Sequence, residues 1–158
     1  FLLTEDLLPS LFHARDKYLA PGGKLIPDCG RMLVMPVSMP HYYLKHVQVW
    51  QDSSERLAEA DLPPLDFRRI AGFAGNAMYY DTAKSFEPTP LAPPATLMEL
   101  DFYTANSAAC DANLDLTLTG GGTCHGWLGW FDMRLGTEWL STAPDADSTH
   151  WRQAFMPL

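Results

Sequence analysis

The run His125-Gly-Trp-Leu-Gly-Trp-Phe131, with Leu140-Ser-Thr-Ala-Pro144 and Thr149-His-Trp151 after it, decides how this chain is read. Aromatic-rich residues in a short run favour a strand. Alternation puts Trp127 and Phe131 on one face and Trp130 on the other, so this strand is covered on both sides. Working outward, short apolar stretches broken by Pro, Gly and Asn/Asp/Ser continue from Lys24 to the end. They predict strands at 24–27, 31–38, 42–50, 67–73, 97–105, 112–118, 124–135, 137–142 and 150–156. In 112–118, Leu114, Leu116 and Leu118 alternate with Asn113, Asp115, Thr117 and Thr119, which gives that strand one wet face.

Ahead of the strands, residues 4–20 read as a helix, with Leu7, Leu8, Leu11, Phe12, Tyr18 and Leu19 at helical spacing and Pro21-Gly-Gly23 as its stop. Thr4 is the expected N-cap, with Glu5 and Asp6 in the first turn at the positive end of the dipole. Pro9 stands late for a first-turn proline and should bend the helix or shift its start toward Leu8. Two stretches interrupt the strands. The polar segment 51–66 predicts a short helix over 52–60 and a turn at Pro63-Pro64. The segment 86–96, with Pro88, Pro90, Pro93 and Pro94, predicts a stiff surface connection in polyproline geometry. No internal repeat is present. The fold class expected is mainly β, an antiparallel barrel or sandwich preceded by one N-terminal helix.

Composition narrows the function. A chain of 158 residues fits one domain and can bury roughly 68–70% of its unfolded surface. Cys29, Cys110 and Cys124 form no CxxC pair and no metal spacing, which points to a reducing compartment, cytoplasmic or, in a eukaryote, nuclear. No apolar run approaches the ~18 residues of a membrane span. Opening on Phe1-Leu-Leu without Met, a basic n-region or a small-residue cleavage site, the chain reads as a piece of a longer gene product rather than one led by a signal peptide. A net charge of −8 argues against nucleic acid. That acidity either draws basic, Arg-rich partners by long-range attraction or simply keeps the domain soluble.

Taken singly, most chemical signals read as structure. Gly120-Gly-Gly122 follows a strand but precedes another strand instead of a helix, so a turn explains it better than a phosphate cradle. His125 reads as a hydrogen-bonded core residue and not as a metal ligand. Ser141 and Ser148 lack a nucleophile-elbow context, and Arg68-Arg69 is too short for a nucleic-acid patch.

Together, however, the His-Gly…Trp-Phe, Leu-Ser-Thr-Ala-Pro and Thr-His-Trp segments resemble the β-barrel half of protein arginine methyltransferases. At the other end, Glu5-Asp-Leu-Leu-Pro-Ser-Leu-Phe-His-Ala-Arg-Asp-Lys-Tyr-Leu-Ala-Pro-Gly-Gly23 and Ile26-Pro27 resemble that family's helix and strand joining the cofactor domain to the barrel. The resemblance implies a linking helix over 1–23 and a substrate-binding barrel over 24–158. It also implies a dimerisation arm inserted at 47–73, where few residues match beyond Trp50 and Leu65-Asp66.

It further implies a site. The substrate guanidinium is forked by two carboxylates, of which Glu5 falls on the second; the first belongs upstream of Phe1. Read without the resemblance, Glu5 is only a helix-start acid. Thr149, His150 and Trp151 would line the substrate, His150 as a proton acceptor, and Leu7 would be the bulky residue that limits the product. The cofactor, S-adenosylmethionine, would bind a domain that this sequence does not contain, so none is expected in this chain. The isolated chain should be inactive, and homodimers should form only with the full-length protein. Two other readings stay open. A stand-alone β-sandwich binding module would expose Trp127, Trp130, Trp139 and Trp151 on one face, which alternation of Trp127 and Trp130 opposes. A non-catalytic structural or dimerisation domain is the other.

Overall fold

The computed structural model describes residues 6–63 and 65–158, Ser54 by its backbone alone. In chain order it holds helix α1 (Leu7–Tyr18), strand β1 (Cys29–Ser38), helix α2 (Pro40–His46), a 3₁₀ turn (Gln48–Trp50), and helices α3 (Ser53–Glu59) and α4 (Arg68–Gly75). Strand β2 (Tyr79–Asp81), helix α5 (Ala83–Phe86), and strands β3 (Thr89–Pro90), β4 (Ala95–Asp101), β5 (Gly126–Leu135), β6 (Glu138–Ser141) and β7 (Gln153–Pro157) follow. The fold is mainly antiparallel β with an N-terminal helix, as the sequence predicts, and its residues group into two compact units.

The first unit comprises residues up to Val34 with Pro94–Leu116 and Trp130–Trp151. Here β1 pairs with β4 from Cys29↔Asp101 to Val34↔Ala95, its register shifting between Met32 and Leu33, and β5 pairs with β6 from Asp132↔Ser141 to Leu135↔Glu138. Gly136 makes the tight β5–β6 turn at φ 75°, a conformation glycine adopts without penalty. Leu8, Phe12, Met32, Phe102, Phe131 and Met133 form the core, and Leu11, Leu25, Leu97 and Trp151 pack on it. Ion pairs Arg31–Asp132 (2.8 Å) and Arg134–Asp28 (2.9 Å) brace the strands.

The second unit comprises Met35–Pro93, Thr117–Gly129 and Arg152–Leu158. In it β7 lies between β2 (Tyr79↔Phe155) and β5 (Leu128↔Phe155), and the end of β1 pairs with β3 at Val37↔Pro90. Tyr42 packs edge-on to Phe86 (4.8 Å between ring centroids) and Phe155 (6.0 Å) over a core of Val37, Met39, Val47, Leu91 and Leu128.

Several expected elements are corrected. Residues 42–50 are helix and 3₁₀ turn, not strand: Pro40 supplies a helical φ at the start, and Tyr42 stacks on His46 one turn later at 4.2 Å. Residues 68–73 fall in α4, with Phe67 as its N-cap, and the Asp66 carboxylate accepts the Arg68 N–H at 3.0 Å where the helix opens. Residues 24–27 form no strand; the Leu25 N–H donates to the Tyr103 hydroxyl at 2.9 Å instead of to a ladder. Residues 112–118 keep the alternation but have no strand pairing, and their side chains are almost all exposed. Segment 86–96 is mostly exposed, as a surface connection should be, but Phe86, Leu91 and Ala92 are buried, and the Leu91 N–H donates to the Pro36 carbonyl.

Helix α1 starts at Leu7 with Asp6 as N-cap at φ 51°, so Asp6 precedes the first turn, while Thr4 and Glu5 lie outside the described residues. Pro9 is then the third helical residue, where its missing N–H would have had no partner within the helix anyway. The short helix expected over 52–60 is α3. Among the described residues no helix is long and apolar enough to cross a membrane.

Candidate functional site

The Thr149-His-Trp151 loop is shaped by its own threonine. The Thr149 hydroxyl accepts the Trp151 N–H at 3.2 Å and donates to the Trp151 carbonyl at 3.3 Å, a closed turn that fixes both neighbours. Trp151, half-buried, sets its indole edge-on to Phe131 at 5.7 Å and joins the first unit's core. His150, held between these anchors, is exposed and lies over the Trp151 ring at 4.1 Å. The loop therefore presents an imidazole to solvent on a rigid aromatic base.

Helix α1 reaches the same core. Leu8 and Phe12 are buried in it, which leaves Leu7 half-buried on the flank of the helix. Arg15 holds the other end: its guanidinium donates to the carbonyls of Phe102 (2.9 Å) and Ala105, lies 5.2 Å from the centre of the Phe12 ring, and bonds Asp16 through Nε at 2.7 Å. The Asp16 carboxyl is in turn held below the usual carboxylate range by that hydrogen bond. Of the predicted site residues, Leu7, Thr149, His150 and Trp151 thus stand on elements that share one core, and Glu5 lies outside the described residues. Arg15 was missed by sequence reasoning; the available signal was a cation spaced three residues after Phe12, on the flank of the helix's apolar face.

The other two signature segments build the scaffold. Thr142, fully buried, accepts the Phe131 N–H through its hydroxyl at 3.1 Å, which also donates to the Phe131 carbonyl at 2.8 Å. Ser141 donates to Asp132 at 2.6 Å and accepts the Ala143 N–H at 3.1 Å. The Leu-Ser-Thr segment is therefore a clamp on the Trp-Phe-Asp stretch of β5. In the second unit, His125 Nδ1 accepts the Met39 N–H at 3.1 Å, and the His125 N–H donates to Val37, as a core-bonded histidine should. Gly126 has φ 157°, and a Cβ there would stand 2.2 Å from the Met156 carbonyl oxygen.

The tryptophans form no exposed platform. Trp130 is only 5% exposed, whereas Trp139 is 41% exposed and lies under the Arg31 guanidinium at 4.4 Å. Around the first unit the exposed charge is largely carboxylate, from Glu99, Asp101, Asp111, Asp115, Glu138, Asp145 and Asp147, while Arg31 and Arg134 are engaged in ion pairs.

An N-terminal helix, antiparallel strands and clamped signature loops define a mainly antiparallel β fold. The family model described as the arginine methyltransferase oligomerization subdomain matches residues 28–157, and the chain belongs to that family. It is 32% identical over 162 residues to a probable histone-arginine methyltransferase CARM1 of Oryza sativa subsp. indica, covering 96% of this chain and 30% of the relative. It is 26% identical over 167 residues to protein arginine N-methyltransferase 2 of Homo sapiens, covering 99% and 37%. Among solved structures it matches the Trypanosoma brucei PRMT1 enzyme–prozyme heterotetrameric complex with AdoHcy at TM-score 0.74 and 22% identity, over 96% of this chain and 47% of that one. It also matches protein arginine methyltransferase 10 of Arabidopsis thaliana at TM-score 0.68 and 20% identity, over 100% and 52%. The chain thus spans about 30% of the length of the rice relative and about half of the solved chains.

Proposed function

We propose that this chain is the substrate-binding and oligomerisation barrel of an S-adenosylmethionine-dependent protein arginine methyltransferase, inactive by itself, with 1–23 as linking helix, 24–158 as barrel and 47–73 as dimerisation arm. The observation that carries the reading is the Thr149-His150-Trp151 loop, a preformed exposed imidazole anchored in the core that also seats the helix bearing Leu7. In this reading Glu5 forks the cationic guanidinium, His150 receives the proton the nitrogen loses, Trp151 forms the pocket wall and Leu7 limits the product. The substrate is a basic, Arg-containing protein or peptide, and the exposed carboxylates of the first unit support its attraction. Free Cys29, Cys110 and Cys124 support a reducing cytoplasmic or nuclear setting.

Among the described residues, the glycine run does not fit the cofactor's carboxylate group. The run Gly120-Gly-Gly122 lies against Leu91: the N–H groups of Thr119 and Gly120 donate to the Leu91 carbonyl, a Cβ on Gly120 would stand 2.9 Å from the Pro90 oxygen, and strand β5 follows instead of a helix. Methyl supply therefore falls to another part of such an enzyme.

The test is Glu5→Gln and His150→Ala in a complete enzyme bearing this barrel. A charge-assisted hydrogen bond is worth roughly 1.5–3 kcal/mol, so Glu5→Gln should slow turnover about 10- to 100-fold with little loss of thermal stability. Unchanged methyl transfer in both variants would overturn the reading. It would favour a second one, a non-catalytic oligomerisation domain, which the exposed Leu62, Leu65, Ile70 and Phe73 (79% exposed) support.

A further inference from the structure

We propose that the Tyr79 hydroxyl clasps the root of the dimerisation arm and so sets how readily two copies of the chain pair; the inference rests on the reading of 47–73 as that arm. His46, the last residue of α2, and Ala74, in the last turn of α4, are the two residues that flank the segment. Between them the exposed Leu62, Leu65, Ile70 and Phe73 offer apolar surface, and the Trp50 ring meets Phe67 edge-on at 6.2 Å. Tyr79 stands on β2, which pairs with β7 at Tyr79↔Phe155, and its ring lies 6.0 Å from Tyr42 and 6.3 Å from Phe155. From that strand its hydroxyl reaches the Ala74 carbonyl at 3.0 Å and the His46 carbonyl at 3.3 Å. Both carbonyls belong to the last turn of a helix, where no donor within the helix remains for them. One hydroxyl proton is thus shared by the departing and the returning chain. The Trp50 indole N–H also donates to the His46 carbonyl, at 3.1 Å, but from within the segment itself. Among the described residues no other side chain bonds either carbonyl. Burial holds the Tyr79 hydroxyl above the ordinary tyrosine range, so it stays a donor. Without the clasp the two ends of the segment are free to part. Only arms still in place can dock, and the apparent dissociation constant rises as that fraction falls.

The experiment compares variants of a complete arginine methyltransferase carrying this barrel. Sedimentation velocity reads the dimer dissociation constant, and fluorescence exchange between labelled subunits reads the association and dissociation rates. Tyr79→Phe removes one oxygen and keeps the ring against Tyr42 and Phe155. Losing the hydroxyl should lower the clasped fraction of each arm about 3- to 10-fold. A two-fold pair seats two arms, so the dissociation constant should rise about 10- to 100-fold. The loss should fall on the association rate, with the dissociation rate unchanged, since a docked arm is held by its partner. Tyr43→Phe is the control: it loses a bond of the same kind, from its hydroxyl to the Leu158 carbonyl at 2.8 Å, that does not join the two ends of the segment. It should leave the constant unchanged. Leu65→Asp/Phe73→Asp puts charge on the arm itself and should abolish pairing. An unchanged constant in Tyr79→Phe, an equal rise in Tyr43→Phe, or a loss carried by the dissociation rate overturns the inference while the arm stands. A Tyr79→Phe protein that does not fold makes the hydroxyl a determinant of the fold instead and overturns it too. A parent that stays monomeric, or a Leu65→Asp/Phe73→Asp protein that still pairs, overturns the reading of the arm and the inference with it.

Discussion

Replacing Gly126 with alanine is the sharpest test of how the signature strand is seated. At φ 157° this residue occupies backbone space essentially reserved for glycine, where another residue costs about 1–3 kcal/mol. Its new Cβ would lie 2.2 Å from the Met156 carbonyl oxygen, 2.6 Å from the Phe155 ring and 2.9 Å from the Pro157 Cα. Two of these three atoms belong to the backbone of β7, which is paired with β5 at this point, so the strands themselves must part. Overpacking of that kind costs about 1–3 kcal/mol. Together the two effects destabilise the chain by about 2–6 kcal/mol. At about 2–4 °C per kcal/mol for a chain of this length, Tm should fall by at least about 4 °C and by about 12 °C near the middle of the range. Thermal unfolding followed by near-ultraviolet circular dichroism, which reads the five tryptophans, measures it. Gly72→Ala is the control, since nothing lies within 4 Å of its Cβ and alanine suits the middle of α4; it should leave Tm unchanged or raise it. A Gly126→Ala drop smaller than about 2 °C would refute the packing argument.

Three further outcomes are expected. Titration calorimetry of the isolated chain with S-adenosylmethionine should show no saturable heat up to millimolar ligand, and clear micromolar binding would contradict the proposed division of labour. Thr142→Val keeps the side-chain shape but strands the Phe131 N–H inside the core, so a urea titration should show a loss of about 1–3 kcal/mol. His46 is held below the ordinary histidine range mainly by burial, with Lys45 pushing the same way and Asp81 opposing. A fold that disfavours the imidazolium is at full strength above pH 6.5 and weakens as pH falls through that value toward the lowered one. The urea midpoint should therefore drop on acidification through this window, less steeply in His46→Gln, and an equal slope in the two proteins would be the contrary result.

The sequence by itself determined the strand class, the buried two-faced β5, the short helix α3 and the family, because these depend on local periodicity and on short segments whose residue types are constrained in place. It also marked His125 as a core-bonded histidine. Tertiary structure alone decided the rest. Residues 42–50 and 68–73 carry β-branched and aromatic side chains that favour strands, yet they are mostly helical, since helices open at Pro40 and beside Asp66. Residues 112–118 keep perfect alternation without pairing, because a period of two describes which side chains share a face and says nothing about a neighbouring strand. The work of Ser141 and Thr142 as a clamp on β5, and of Arg15 as a pin across to Phe102 and Ala105, depends on partners about ten and about ninety residues away. No local pattern encodes such distances; they exist only once hydrophobic burial has brought α1, β4 and β5 onto one core.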